Sequence, residues 1–323
     1  MPRNLVPALF TRPQNPTRPG SAALHEGLER PEAVTRRIVW RYALSIGILH
    51  VLAVAACWGW LFSWTGVALF VGGVYFYGGF GINLAYHRLL THRSFACPRW
   101  VERSLVVVGV CCLEDAPGSW VATHRLHHNE SDKRPDPHSP LVSFFWSHVG
   151  WLLIENRDIR TLTAYERFAR DVLRDPFYLR MQRGLLAVWI YLAHALVYFL
   201  AGLIVGLCVG GSWSRGLQFG LSLLVWGVIL RTVCVWHISW TVNSLSHLFG
   251  YRNYETHENS RNNWLVACLT SGEGWHNNHH ADPASASNSR RWWEIDPMYL
   301  IIRTMECCGL ASDVVRPRHV RQQ

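Results

Sequence analysis

Two long segments of the chain are apolar without a single charged residue. Residues 42–86 contain no Asp, Glu, Lys or Arg, and residues 184–214 contain none either. A helix needs about 20 predominantly apolar residues to cross a bilayer, so the first segment has room for two membrane helices. We predict an all-α membrane protein with four transmembrane helices, at about 43–62, 66–85, 185–207 and 216–238.

The four predicted helices form two pairs, each joined by a short turn. The turn at 63–66 is uncharged, and the turn at 209–215 carries one charge, Arg215. Seven arginines precede the first helix, and residues 87–183 hold 13 arginines and Lys133. Because cytoplasmic loops carry the excess of Lys and Arg, we predict two helical hairpins, with both termini and the 87–183 segment on the cytoplasmic side.

The remaining organisation follows from shorter patterns. Residues 1–35 lack a sustained apolar run and are interpreted as a flexible cytoplasmic tail, and residues 36–323 as one integral-membrane domain. The apolar run at 104–113 is too short to cross a bilayer, which predicts an interfacial or buried helix. Arg231 lies inside the fourth predicted span near its cytoplasmic end, so we expect its side chain to snorkel to the interface.

Composition supports this plan and excludes other classes. Of the 323 residues, 50% are hydrophobic, only 16% are charged and 17 are Trp, which excludes a disordered chain or a coiled coil. The net charge is +9, but the arginines flank apolar spans instead of forming one basic stripe, which favours a membrane surface over nucleic acid. The nine cysteines contain no C-x-x-C pair, so neither a zinc ribbon nor an iron–sulfur cluster is indicated.

Eight of the 17 histidines fall in three clusters, all on the predicted cytoplasmic side. They are His87 and His92; His124, His127 and His128; and His276, His279 and His280. Helix positions three and four apart share a face, so each H-x-x-H-H motif presents three imidazoles together, enough to bind one metal ion and reach a neighbouring one. The five-residue step from His87 to His92 spans roughly 140° on an ideal helix, which predicts that one of them lies where the helix ends or bends.

Many imidazoles with few thiolates suit iron, copper, zinc or nickel, and ligand type alone does not choose among these metals. His247 follows the fourth span on the same side as the clusters, and Asn243 precedes it by one helical turn. We predict His247 as a ninth ligand and Asn243 as a ligand through water. Four further histidines are assigned supporting or structural roles: His138, His148, His237 and His257.

At this point the motifs match a known family. The matching blocks are GINLAYHRLLTHRSF (81–95), WVATHRLHHNESDKRPDPHSP (120–140), FFWSHVGW (144–151), RDPFY (174–178), WTVNSLSHLFG (240–250) and GEGWHNNHH (272–280). In these blocks the chain resembles the integral-membrane fatty acid desaturases of the acyl-CoA or acyl-lipid delta-9 type. The blocks follow the family order over about 200 residues.

The resemblance implies a di-iron centre, four membrane helices under a cytoplasmic helical cap, a bent acyl tunnel, and O2-dependent formation of a cis double bond in a saturated chain carried on CoA or a lipid. The implied iron ligands are His87, His92, His124, His127, His128, His247, His276, His279 and His280, with Asn243 reaching iron through a water. We expect Asp136 and other polar groups near the motifs to orient the histidines.

Electrons for such a reaction must come from outside the chain. The sequence shows neither a G-x-G-x-x-G dinucleotide-binding motif nor a fused haem domain, so we expect a separate ferredoxin or b-type cytochrome with its reductase. One departure from the family affects this region: Ser287, Asn288 and Ser289 stand where an Arg-His-Gly run is frequent. We expect the departure to affect head-group contacts or carrier docking.

Two other functions are compatible with histidine clusters in a membrane protein. A membrane di-iron hydroxylase would use the same kind of centre, but the family's hydroxylases typically have a shorter first and a longer second histidine motif. A metal transporter would usually bind its ion at mid-membrane on broken helices, whereas these clusters lie outside the predicted spans. Both are less consistent with the sequence than a desaturase.

Overall fold

The computed structural model describes residues 27–318, and most of them are helical. The all-α prediction needs one correction, because Val34–Ile38 and Ile154–Asn156 pair as a short antiparallel sheet. Thr35 Oγ1 donates a hydrogen bond to Glu155 across this pair. β-Branched residues favour such an extended segment. Most of the tail predicted for residues 1–35, namely residues 1–26, lies outside the described residues. The last two residues of the predicted tail, Val34 and Thr35, belong to the first strand.

Four helices are long and apolar enough to cross a membrane, as predicted. They are Trp40–Cys57, Trp64–Thr91, Leu186–Gly210 and Trp213–His247, called here the first to fourth membrane helices. The second and fourth continue well past their predicted ends at 85 and 238. Their extra turns carry polar residues buried by surrounding protein, such as His87 and Ser244. A hydropathy pattern cannot detect this, because protein replaces lipid around those turns.

The third and fourth membrane helices pack closely through glycines. A Cβ atom on Gly202 would come within 2.8 Å of the Cα of Gly220, so the two backbones are in direct contact there. Gly211, with a φ of +64°, ends the third helix, and the Ser212 side chain accepts a hydrogen bond from the Arg215 amide to begin the fourth.

This contact gives a first prediction. Gly202→Ala should destabilise the protein by about 1–3 kcal/mol, because the added methyl group overlaps the facing backbone. Gly47→Ala is the matched control, since Gly47 lies in the first membrane helix where no other described part of the chain comes within 4 Å of the added methyl group. Thermal unfolding of the purified full-length variants measures both. Equal midpoints for the two variants would contradict the close packing.

The second membrane helix changes character before it reaches the histidines. From Phe76 to Thr91 it forms wide π-helical turns, with His87 inside the helix and His92 immediately after its end. The His92 amide donates to the His87 carbonyl at 3.0 Å. This confirms the prediction that one member of the pair lies where the helix ends. π-Helical turns frequently accompany functional sites.

The remaining helices surround these ends. They are Arg99–Val110, Pro117–Glu130, Trp146–Gly150, Trp151–Leu153, Leu162–Phe168, Arg170–Leu173, Pro176–Arg183, Trp264–Leu269, His276–Ala281 and Pro297–Cys307, whereas the short 3-10 helix Gly59–Leu61 lies in the connection between the first two membrane helices. The short apolar run at 104–113 falls largely in the first of them, as predicted, and packs against the second membrane helix. There a Cβ atom on Gly81 would lie 2.6 Å from the Cα of Gly109. Tyr86, Val106 and Val121 belong to the largest buried apolar cluster, beside the histidines.

The snorkelling predicted for Arg231 is wrong. Its side chain is fully buried, with one terminal nitrogen donating to the Cys111 carbonyl at 2.8 Å and the guanidinium 4.1 Å from the centre of the Tyr77 ring. Cys111 ends the Arg99–Val110 helix, where carbonyl groups lack helical partners. A donor inside the protein satisfies that carbonyl, so the cation is held in the bundle instead of reaching the membrane surface.

Candidate metal site

The structure brings all nine predicted histidines together in two groups. Within each group the candidate ligand atoms all lie within 4.8 Å of one another. The larger group, called group A, contains His87, His92, His124, His128 and His279, and the smaller, called group B, contains His127, His247, His276 and His280. Their role as ligands stays a prediction, but their assembly from distant parts of the chain matches it.

Helix geometry divides each H-x-x-H-H motif between the two groups. On the Pro117–Glu130 helix, His124 and His128 belong to group A and His127 to group B. On the His276–Ala281 helix the division is reversed, with only His279 in group A. Each of these two helices therefore contributes histidines from one face to both groups. Two neighbouring metal ions, one in each group, would each take ligands from both helices.

Ring nitrogens in group A are too close and too numerous to be satisfied by hydrogen bonds alone. Nε2 of His279 lies 3.1 Å from Nε2 of His87 and 2.9 Å from Nε2 of His128. Burial, followed by neighbouring imidazoles, lowers the pKa of His124, His128 and His279 well below its usual value, so these rings are neutral at pH 7 and carry one N–H each. Metal–nitrogen bonds of about 2.1 Å at right angles place two nitrogens about 3.0 Å apart. The spacing fits a bound metal ion.

The imidazoles of group B also have nitrogen atoms placed to bind a metal ion. The Nδ1 atom of His127 lies 3.0 Å from an Asp136 carboxylate oxygen, while its Nε2 atom is buried without a hydrogen-bond partner among the described residues. A buried nitrogen left unpaired is costly. His276 Nε2 lies 3.1 Å from His247 Nε2 and 3.0 Å from His280 Nε2. Four imidazoles whose candidate ligand atoms all lie within 4.8 Å of one another fit a second metal ion.

Carboxylates behind the rings fix their orientation. Glu273 lies 2.8 Å from Nδ1 of His87, and Asp132 lies 2.9 Å from Nδ1 of His247. Burial opposes ionisation of Glu273, but the Arg88 guanidinium and the His87 ring lower its pKa to about 2. An ionised carboxylate on Nδ1 keeps the proton there and directs Nε2 toward the metal position.

The sequence identified only part of this carboxylate shell. Asp136 contacts His127, as the orienting role predicted for it requires. Glu273, in the 272–280 block, and Asp132, in the 120–140 block, are among the other polar groups near the motifs that were expected to orient the histidines, but the sequence did not single them out. Glu258, 3.7 Å from Nδ1 of His280, lies outside every block, so no local signal could have found it.

Two narrow cavities meet beside group A. One is lined by apolar residues such as Val74, Ile82 and Ile238, and the other by residues such as Leu113 and Trp236. Four residues line both cavities: Trp120, His124, Ser239 and Asn243. The predicted water-mediated ligand Asn243 is therefore at the junction, next to a group A histidine, and the two cavities together offer an apolar path past the histidines.

Comparison with known proteins decides the family. The fatty acid desaturase family model matches residues 63–307. The chain belongs to the fatty acid desaturase family. The resemblance found in the sequence motifs is thereby confirmed, and membership implies an oxidoreductase.

Relatives of this family member are named for related activities. It is 39% identical over 278 residues to the sn-1 stearoyl-lipid 9-desaturase of Anabaena variabilis, covering 86% of this chain and 94% of that one. Identity is 38% to the sn-2 palmitoyl-lipid 9-desaturase of Nostoc sp. (strain 36), over 85% of this chain and 90% of the relative. The chain is also 37% identical to an acyl-CoA 5-desaturase, AL21, of Anemone leveillei, over 91% of this chain and 87% of the relative.

The departure at Ser287, Asn288 and Ser289 includes a buried residue that contacts the site. Asn288 is buried, its side-chain amide donates to Glu273 at 3.0 Å, and its backbone amide donates to Asp296 at 2.8 Å. In this family member the changed residue therefore helps to hold the carboxylate behind His87. Its contacts lie within the shell that supports group A.

The four histidines that were assigned supporting or structural roles lie at different distances from the two groups. The His138 ring centre lies 4.4 Å from that of His127, and His138 Nδ1 is 3.8 Å from Asp136, so it borders group B as a supporting residue. His148 and His237 instead contact each other at 3.0 Å outside both groups. His257 is exposed.

Proposed function

We propose that this protein is an acyl desaturase that introduces a cis double bond at the delta-9 position of a saturated acyl chain, linked to CoA or to a membrane lipid. It would use O2 and two electrons from a separate ferredoxin or b-type cytochrome with its reductase, at a non-haem di-iron centre. One observation carries the proposal: nine histidines in two adjacent groups adjoin an apolar path.

The reaction needs an oxidant that no side chain supplies. It reads R–CH2–CH2–R′ + O2 + 2 e⁻ + 2 H⁺ → R–CH=CH–R′ + 2 H2O. A methylene group has no useful acidity, so acid–base catalysis cannot remove its hydrogens. Two bound iron ions would supply the O2-derived oxidising power, which is the cofactor's share of the chemistry.

The protein's share is positioning and exclusion of water. Glu273, Asp132 and Asp136 hold the rings whose Nε2 atoms are directed at the metal positions. The junction of the two cavities at Trp120 and Ser239 would place one C–C bond beside group A. A chain held in one position there, out of contact with water, reacts at a defined carbon.

The membrane arrangement is also part of the proposal. The arginine distribution supports two helical hairpins, residues 1–35 as a cytoplasmic tail, residues 36–323 as one domain, and a helical cap with the metal centre on the cytoplasmic side. A basic cytoplasmic surface suits an acidic electron carrier and the phosphate groups of CoA or phospholipid. Two relatives named as 9-desaturases support the delta-9 position.

Lipid analysis tests the proposed function. The full-length chain is expressed in a host that lacks monounsaturated lipids, and the acyl chains are examined by mass spectrometry with double bonds located. The proposal predicts new delta-9 cis double bonds, which disappear when His276 and His280 are both replaced by alanine. Hydroxy acyl chains without new double bonds would identify a hydroxylase instead.

Glu114 adds a pH dependence to the proposed activity. This carboxyl lines the second cavity and accepts a hydrogen bond from Ser239, and burial raises its pKa to about 8. Below that pH it is neutral, and above it a negative charge forms beside the apolar path. We therefore expect turnover to fall between about pH 7 and 9, and Glu114→Gln to retain turnover at the upper end of that range.

The matched control for this prediction is Glu166→Gln, at an exposed position. It should keep the pH profile of the unaltered protein. Purified protein with lipid substrate and an artificial reductant gives the rates. If Glu114→Gln loses activity at alkaline pH as steeply as the unaltered protein, the buried carboxyl is not the group that titrates.

A further inference from the structure

An apolar groove opens on the outside of the protein, next to the second membrane helix. It has a volume of about 740 Å³. Its walls come from the membrane helix and from the C-terminal part of the chain, and include Tyr75, Phe76, Phe80, Trp264, Trp293 and Ile301. Phe76 is 46% exposed and Trp264 is 65% exposed, so the groove is open to its surroundings.

Only a thin wall separates this groove from the first cavity beside the histidines. Ser271 lines both spaces, Gly79 lines the inner cavity and Met298 lines the groove. A Cβ atom on Gly79 would lie 3.1 Å from the Met298 methyl carbon and 3.8 Å from Ser271 Oγ. At this point the wall consists of one methionine side chain resting on a glycine.

The residues of this wall are suited to opening. Methionine has three rotatable side-chain bonds and adapts to changing gaps, and Gly79 contributes no side chain. Ser271 has a positive φ angle, +54°, which is strained for a residue other than glycine, and such strained backbone is concentrated at functional sites. A change of the Met298 side-chain rotamer would remove the side-chain atoms that rest on Gly79 at this point.

We propose that this wall, at Gly79, Ser271 and Met298, is a lateral portal through which the acyl chain of a membrane lipid passes between the bilayer and the cavity beside the histidines. The proposal rests on the proposed acyl-chain substrate and extends it to the route of entry and to a lipid-linked form.

Location and chemistry both favour a lipid acyl chain as the occupant. Tyr75 and Phe76 belong to the second membrane helix, and both side chains are 46% exposed, so the groove runs along the exposed surface of a helix that is long and apolar enough to cross a membrane. Its lining is almost wholly apolar. A chain that enters sideways remains in apolar surroundings throughout, and avoids the exposure to water that threading through a polar opening would require. The second cavity is largely apolar, but its lining includes the polar and charged side chains of Tyr42, Asp115 and Arg160.

Photocrosslinking of the full-length protein tests the route without needing turnover. The probe is a phosphatidylglycerol with one saturated acyl chain carrying a mid-chain diazirine, in bilayer nanodiscs that also contain unlabelled lipid. After illumination, modified peptides are mapped by mass spectrometry. We expect labelling both of the groove, around Trp264 and Ile301, and of the inner cavity, around Ile82 and Asn83.

Groove-filling variants supply the decisive comparison. Cys268 is exposed and lines the groove, so Cys268→Trp should lower labelling of the inner cavity at least tenfold, as should Ile301→Trp from a different helix. Cys208→Trp is the control, at an exposed cysteine in the third membrane helix. Unchanged unfolding midpoints and metal content show that a variant is folded.

Each result decides the proposal. Cavity labelling that survives both groove-filling variants would overturn it, as would labelling of the groove alone or labelling that enters only around Tyr42. The proposed portal and the proposed function can also be refuted independently of each other. Labelling through the groove by a protein that forms no double bonds would leave the portal and remove the proposed function, whereas double bonds formed without groove labelling would do the reverse.

Discussion

Replacing His127 with alanine is expected to lower the rate of double-bond formation by more than about 100-fold, since loss of a group that only supports a ligand already costs about 10–100-fold. Group B would keep three of its four imidazoles, while the five of group A stay intact. Metal analysis of the purified variant should therefore show about one ion per chain where the unaltered protein holds about two. The activity and the metal content are measured on the same preparation.

His257→Ala is the matched control for this substitution, because His257 is exposed and belongs to neither histidine group. It should change neither quantity. A His127→Ala variant that keeps both metal ions and full turnover would show that His127 is not a ligand. Loss of both ions would mean that the two groups do not bind metal independently.

Glu273→Gln is expected to weaken metal binding in group A by about 10–100-fold. The glutamine has almost the same shape, but it lacks the negative charge that holds the proton on Nδ1 of His87, 2.8 Å away. Arg88 keeps its ion pair with Asp296, so the fold has a remaining anchor. Competition with a chelator, followed by metal analysis, measures the affinity.

Glu166→Gln serves as the control, at an exposed glutamate away from the histidines. Its affinity for metal should match that of the unaltered protein. The unfolding midpoint of Glu273→Gln without metal separates a folding defect from a binding defect. Equal metal affinity of the two variants would refute the orienting role of Glu273.

The spacing of histidines predicted the assembled groups well, because H-x-x-H-H is a local pattern that any helix converts into a shared face. His124, His127 and His128 needed no knowledge of the rest of the chain. The carboxylates behind the rings are different, since Glu258 and His280 are brought together only by the tertiary fold. No spacing in the sequence encodes that contact.

Hydropathy predicted the number of membrane helices but not their ends or their buried charge. The second helix continues to Thr91 and the fourth to His247, because the final turns are surrounded by protein and need no apolar surface. Arg231 was placed at the interface by the same reasoning, although it is held by the Cys111 carbonyl inside the bundle. Both differences arise because hydropathy treats every helix surface as facing lipid or water.

We propose that this chain removes one hydrogen from each of two adjacent carbons at a centre held by the two histidine groups. The most direct measurement uses purified, iron-loaded protein with a saturated acyl-lipid fully deuterated at C9 and C10, O2 and a reductant. We expect a product that has lost two deuterium atoms and gained no oxygen. A product that gains one oxygen atom, or deuterium loss that persists when His127 is replaced by alanine, would contradict it.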